Sequence, residues 1–256
     1  LPELASRRLY ALLVGALGAD LAGKQVQVIP NGFFWYLPWD VLKDGQGHYL
    51  VESQEWSCVS PSELLRSGLR SMPSQQGLER VVALGGTRAD LPATGREATE
   101  VAALFPHGLA LLGPQARASE LVRLAPQAQV LHLATHSGLS PDLNQTYIEL
   151  SDGRFSLEQV YGLQLESGSR VVLSSCESGL GQAAPGREVS SLASAFLSSG
   201  ASSVVATLWR VDDNASAAFF QKFYPHLLNK RSISESLRQA RLDCLADPEL
   251  KDPTNW

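Results

Sequence analysis

What most constrains this chain is an alternation in its C-terminal two-thirds. Short apolar runs close on small residues and give way to segments with helical spacing. The strand-like runs fall at residues 80–84, 129–134, 170–174 and 202–209. They are apolar at consecutive positions rather than at every second one, so each such strand needs cover on both faces. Strands of this kind separated by amphipathic helices predict a parallel sheet with helices on either side, an α/β architecture. The intervening helices carry their own punctuation. Thr94 and Glu97 read as a capping box opening a helix to Phe105, and Ser156 with Gln159 reads as a second one. A short helix at 119–124 ends before Pro126, and a helix at 188–197 stops at Gly200. Two more are predicted at 215–228 and 232–245, with a weak strand at 110–112 and an edge strand at 147–150.

The first third is built differently. Residues 3–17 have helical spacing, with Pro2 as a start signal and Gly23 as a stop. Residues 25–29 alternate as a strand, Pro30-Asn31-Gly32 reads as a turn, and 49–56 reads as a second strand. Phe33, Phe34, Trp35, Tyr36 and Trp39 are either the core of a small subdomain or a surface for a neighbour. The polar stretch 71–77 predicts a linker, so the chain divides into a smaller N-terminal subdomain, 1–77, and a larger domain, 78–256. A first residue of Leu1 instead of Met predicts a piece of something longer.

Composition narrows the function classes. With 44% hydrophobic and 18% charged residues the chain is neither disordered nor fibrous. A net charge of −5 and the lack of a Lys/Arg run argue against a direct nucleic-acid partner. The longest apolar stretch, 9–17, is too short to span a bilayer, so no membrane partner is expected. Cys58, Cys176 and Cys244 form no CxxC pair and no Cys/His metal pattern, so neither a metal nor another cofactor is expected. An odd, scattered set of cysteines predicts free thiols and a cytoplasmic location.

Two residues carry candidate chemistry. His136 follows one buried-type strand and Cys176 follows the next such strand in the core, 40 residues later. If those strands lie side by side in parallel, both side chains emerge where α/β sheets place their ligands, at the carboxyl ends. A thiolate is the nucleophile, and a neighbouring imidazolium stabilises it. Small neighbours (Ser137, Gly138, Ser175, Ser178 and Gly179) admit a substrate backbone and offer N–H groups to an oxyanion. The plainer reading is a buried small thiol and a satisfied histidine. His132, in mid-strand, reads as packing, and Cys58 and Cys244 read as structural. Ser174 and Ser175 lack a GxSxG elbow, and Gly85-Gly86-Thr87 lacks a phosphate-loop pattern and reads as a tight turn.

Five segments follow one another in order: Val28-Ile29-Pro30-Asn31-Gly32 with Leu37-Pro38-Trp39; Leu91-Pro92-Ala93-Thr94 with Glu97-Ala98; Leu131-His132-Leu133-Ala134-Thr135-His136; Val171 to Gly179; and Gly200 to Val205 with Leu208-Trp209-Arg210-Val211-Asp212-Asp213. Together they resemble the CHAT family of caspase-like cysteine peptidases, relatives of separase. The resemblance implies a caspase-like α/β/α sandwich with a mostly parallel central sheet, the N-terminal subdomain being a pseudo-peptidase-like half. It implies a thiol endopeptidase cutting specific protein substrates through a His136–Cys176 dyad. The backbone at Ser137, Gly138 and Cys176 would hold the oxyanion, although Ser137 stands where the family most often has glycine directly after the histidine. Asp212 and Asp213 would line a pocket for a basic P1 side chain, and the alternative for at least one of them is to cap the following helix. The resemblance further implies activation by a regulatory domain or partner protein outside this chain, and a setting in antiviral defence. The alternative from another class is a catalytically silent caspase-like signalling or scaffold module.

Overall fold

In the computed structural model the described residues are 2–21, 23–61, 64–65, 77–87, 92–138, 145–174, 181–182 and 190–256. Helix α1 (Glu3–Leu13) runs through a 3-10 turn, Gly15–Leu17, into the short α2 (Gly18–Leu21). Strand β1 (Gln25–Val28), helix α3 (Leu50–Ser53) and strand β2 (Glu55–Cys58) follow, and β1 pairs in parallel with β2, Gln25 opposite Glu55. The single strand expected over 49–56 is thus a turn of helix and then a strand. Leu50 is buried in the N-terminal cluster and the adjacent Val51 in the core of the main sheet. A strand would point one of the two away from its partners, whereas a helical turn buries both. The Glu52 carboxylate, accepting from the Tyr49 N–H at 2.7 Å, fixes the turn's start.

The rest of the chain contains β3 (Arg80–Gly85), α4 (Pro92–Ala103), β4 (His107–Leu112), α5 (Ala118–Leu124), β5 (Val130–Leu133), β6 (Ser137–Gly138), β7 (Tyr147–Leu150), β8 (Gly153–Ser156) and α6 (Leu157–Tyr161). It continues with β9 (Arg170–Leu173), β10 (Gly181–Gln182), β11 (Ser190–Ser191), α7 (Leu192–Ser198), β12 (Ser203–Ala206), α8 (Asp213–Leu228) and α9 (Ile233–Leu245). Five strands form one sheet in the order β12-β9-β5-β3-β4, and every pairing is parallel. The consecutive burial of β5 and of most of β3 and β9 is what the continuous apolar runs predict. One apolar cluster fills the face under α5, α6 and α7, and another the face under α4, α8 and α9.

Several boundaries differ from expectation, each for a local reason. The stretch 147–150 is the middle strand of a separate antiparallel sheet, β6-β7-β8, rather than an edge of the main one. The weak strand at 110–112 is the end of β4, which begins at His107 and forms one edge of the main sheet. The helix expected at 188–197 begins only at Leu192, because Ser190–Ser191 is extended in β11 and the Ser191 hydroxyl caps the helix. Ser156 and Gln159 do form a capping box. Thr94 and Glu97 do not: α4 already runs from Pro92, the Thr94 hydroxyl accepts from the Gly86 N–H at 3.0 Å, and Glu97 turns into the core. Helix and strand are close here, since a Cβ on Gly85 would lie 2.2 Å from the Thr94 carbonyl oxygen. The predicted linker lies, apart from Gly77, outside the described residues.

In the first third of the chain Val14, Leu42 and Leu50 form a cluster of their own, while Val41 and Val51 join the core under α4, α8 and α9. Arg241 meets Asp40 at 2.8 Å, and Arg238 donates to the carbonyls of Val51 and Glu52. The aromatic group divides between the two roles expected of it. Trp39 stacks on Trp56 with centroids 5.7 Å apart, while Phe33 is 86% exposed.

Candidate active site

The site grows from the strand register. Leu133 of β5 sits opposite Leu173 of β9, and Leu84 of β3 opposite Leu133. Backbone pairing continues one step past the strands, with Ala134 N–H on the Leu84 carbonyl at 2.8 Å and Ser174 N–H on the Leu133 carbonyl at 2.9 Å. His136 lies three residues beyond Leu133, half-buried, at the carboxyl end of the central strand. Cys176 comes three residues beyond Leu173 in the sequence and lies outside the described residues, as do Ser175, Ser178 and Gly179.

The backbone around His136 is held closely. Its carbonyl accepts from the Glu149 N–H at 2.8 Å. The hydroxyl of Thr135 donates to the Glu149 carbonyl, and Thr87, after β3, meets the Thr135 hydroxyl at 2.9 Å. Ser137 and Gly138 then pair with Ile148 and Tyr147 as β6. Donors alternate along an antiparallel ladder, so a bond from Glu149 to His136 turns the Ser137 N–H away from β7. A Cβ on Gly138 would stand 2.2 Å from the Tyr147 ring, so any other residue there requires that ring to move. Arg154 lies over that same ring, 4.2 Å from its centroid.

The neighbouring strand tips are also tethered. Ser174, at the end of β9, shares a 2.8 Å hydrogen bond with Ser216 of α8. Asp212 caps α8, its Oδ1 accepting from the N–H groups of Asn214 and Ala215, and Asp213 is the first helical residue. The cap reading therefore holds for Asp212. The indole of Trp209 donates to the Thr254 carbonyl at 3.2 Å and ties this segment to the 3-10 turn at Pro253–Asn255.

His132 is fully buried, as its mid-strand position predicted, and it is not simply packing. In the arrangement that satisfies every group, its Nε2–H donates to Glu97 Oε1 at 2.7 Å and its Nδ1 accepts from the Tyr224 hydroxyl at 2.8 Å. Glu97 and Tyr224 are also buried, and their desolvation costs are offset within this network. Burial, with Glu97 nearby, raises the Tyr224 phenol well above its ordinary value. Sequence reasoning missed both partners. Glu97 was absorbed by the capping-box pattern, and Tyr224 by the apolar stripe it shares with Phe219, Phe220 and Phe223. Cys58 is exposed and Cys244 is buried, and both are free thiols. Burial pushes the Cys244 thiol up to about 11. Among the described residues no three or more His, Cys, Asp or Glu side chains gather as a metal site, and no helix is long and apolar enough to cross a membrane.

A five-stranded parallel sheet covered by helices on both faces, with a histidine at the central strand tip and a cysteine in the chain after its neighbour, defines the caspase-like class of cysteine-peptidase folds. Solved structures agree on the fold. The Arg-specific cysteine proteinase gingipain R matches with a TM-score of 0.61 at 11% identity over 99% of this chain and 64% of that one. The complex of the Porphyromonas gingivalis RgpB pro- and mature domains matches with a TM-score of 0.61 at 12% identity, over 99% of this chain and 65% of that one. The Saccharomyces cerevisiae separase–securin complex matches with a TM-score of 0.56 at 14% identity, over 85% of this chain but 14% of that one. The chain thus spans just under two-thirds of the gingipain chains. Among curated proteins no sequence matches it. The chain belongs to the CHAT domain family, whose model matches residues 3–256.

Proposed function

We propose that this chain is a cysteine endopeptidase acting on protein substrates through Cys176 and His136. One observation carries the reading: in the β5–β9 ladder Leu133 pairs with Leu173, and each candidate residue follows its member of that pair by three positions. Parallel strands in register direct the two following segments to the same sheet edge. His136 takes the thiol proton. The Cys176 thiolate attacks the scissile carbonyl, and the carbonyl π electrons move onto oxygen as the C–S bond forms. His136 then gives its proton to the leaving amine as the C–N bond breaks. Water, deprotonated by the same imidazole, hydrolyses the thioester and restores the thiol. The Ser137 N–H, directed away from β7, and that of Cys176 are the oxyanion donors in this reading. Asp213 is the acidic group proposed to select a basic P1 residue, Asp212 being engaged as a helix cap. Activation by a partner protein or regulatory domain, in a bacterial defence setting, belongs to the same proposal.

A peptide mixture varying at every position, digested by the protein and by its Cys176→Ala and His136→Ala forms, tests this. Each substitution should lower cleavage by about 10⁴-fold or more. Cleavage that survives both substitutions, or no cleavage and no labelling of Cys176 by a thiol-reactive peptide probe, rejects the enzyme and leaves a signalling module. Preferred cutting after uncharged residues would remove the role given to Asp213.

A further inference from the structure

The backbone of His136 is bracketed by a chain of groups that the dyad does not itself use. Thr135 is buried, with 1% of its surface exposed, and its hydroxyl donates to the Glu149 carbonyl. Because that proton is committed, the 2.9 Å contact between the two threonine hydroxyls is a bond donated by Thr87 to Thr135. Glu149 returns a bond through its N–H to the His136 carbonyl. Three elements meet in this bracket: the segment after β3, the tip of β5 and the middle strand β7. An imidazole one residue beyond a hydroxyl anchored in this way has little freedom to swing its backbone. Proton transfer from a thiol needs that restriction, since a misplacement of about 1 Å is enough to cost about 100-fold.

We infer that Thr135 is a positioning residue for His136, acting through the Glu149 backbone, with Thr87 orienting its hydroxyl. The inference rests on the dyad reading and specifies what sets its geometry. A valine in place of Thr135 keeps the shape but removes the hydroxyl. It leaves the Glu149 carbonyl and the Thr87 hydroxyl without this partner and frees the strand tip to shift. A serine keeps the hydroxyl.

The test requires no substrate. The rate at which iodoacetamide alkylates Cys176 is followed against pH, with the Cys176 peptide quantified by mass spectrometry and glutathione in the same mixture as the ordinary-thiol reference; Cys58 does not serve, because desolvation and Asp40 push its thiol up to about 12. In the unaltered protein an imidazolium at Cys176 sets the inflection well below the ordinary thiol value of about 8.5. Thr135→Val should move that inflection up by about one unit, towards the free thiol, and Thr135→Ser should restore it. Thr87→Val should shift it the same way by less. Thermal unfolding is measured on each variant, because a purely structural hydroxyl would lower Tm and leave the inflection in place. An unchanged inflection in folded Thr135→Val overturns the inference. Should that variant fail to fold, an unchanged inflection in Thr87→Val overturns it. An ordinary inflection in the unaltered protein would instead reject the dyad, so the two failures are distinguishable.

Discussion

The two faces of the main sheet are both closed to water, yet they are held differently. Under α5, α6 and α7 lies a cluster of apolar side chains, with Leu121, Leu131, Leu133, Phe155 and Phe196 at or near zero exposure. Under α4, α8 and α9 the rings of Phe220 and Tyr224 pack against His132, with Phe105 edge-on to Tyr224, and the two ring nitrogens of His132 reach α4 and α8. Glu100 and Gln221 add a 2.6 Å bond between the same two helices, and Arg96 and Asn214 one of 3.0 Å near their N-terminal ends. The first face is fixed by shape and area. The second is fixed also by bonds that have direction. Apolar packing tolerates small slips, whereas a buried carboxylate and imidazole must keep their partners or be exposed.

That contrast can be broken in measurable ways. The largest effect should come from His132→Ala, which leaves Glu97 buried without its partner and opens a cavity, at a cost of about 5 kcal/mol in chemical unfolding. Replacing Glu97, His132 and Tyr224 together by Leu, Leu and Phe should recover most of that loss. A triple variant less stable than the single one would show that the network contributes net stability rather than orientation. On the apolar face Phe196→Ala should cost about 4 kcal/mol through lost area and cavity alone, with no such rescue by a polar change elsewhere. Tyr224→Phe removes one hydroxyl and leaves His132 Nδ1 unpaired, and should cost about 2 kcal/mol.

A smaller effect separates the faces by pH. The Cys244 thiol, on the polar-wired face, has its pKa raised by burial from 9.0 to about 11. A raised folded-state value means the unfolded chain loses this proton first, so the thiol's contribution is full below pH 9.0 and is lost as pH rises to about 11. Tyr224 shares the sign, with its loss beginning near its ordinary value of 10.0. Unfolding followed between pH 8 and 11 should show a shallower alkaline decline in Cys244→Ala than in the unaltered protein. Parallel curves would mean that the thiol does not titrate with unfolding.

Much of this was legible in the residues. The runs at 80–84, 129–134 and 170–174 are main-sheet strands within a residue or two, and the helices at 215–228 and 232–245 begin and end close to where expected. The run at 202–209 overreached, because only Ser203–Ala206 pairs and Trp209 is drawn off to Thr254. His136 stands at a strand tip, as its place in the sequence suggested, and of the two aspartates for which a cap was the alternative to a pocket role, Asp212 is the one that caps. What failed has a common cause: a pattern that satisfies a local rule was taken to be used locally. Thr94 and Glu97 have the spacing of a capping box, but their bonds go to Gly86 and His132. Residues 147–150 alternate as an edge strand does, but their partners are β6 and β8.

Sequence alone determined the layers of this protein, because burial on one face, two faces or none leaves a period along the chain that elementary geometry decodes. It determined the family too, through short segments in a fixed order. Only the tertiary structure decided which polar groups meet: that Glu97 and Tyr224 close on His132, and that Thr87 and Thr135 close on the strand carrying His136. Apolar burial is non-directional and adds up along a segment, so it can be read from spacing. A hydrogen bond depends on two atoms within about 3 Å of each other, and residues as far apart as 132 and 224 acquire that distance only when the sheet and its helices have closed around them.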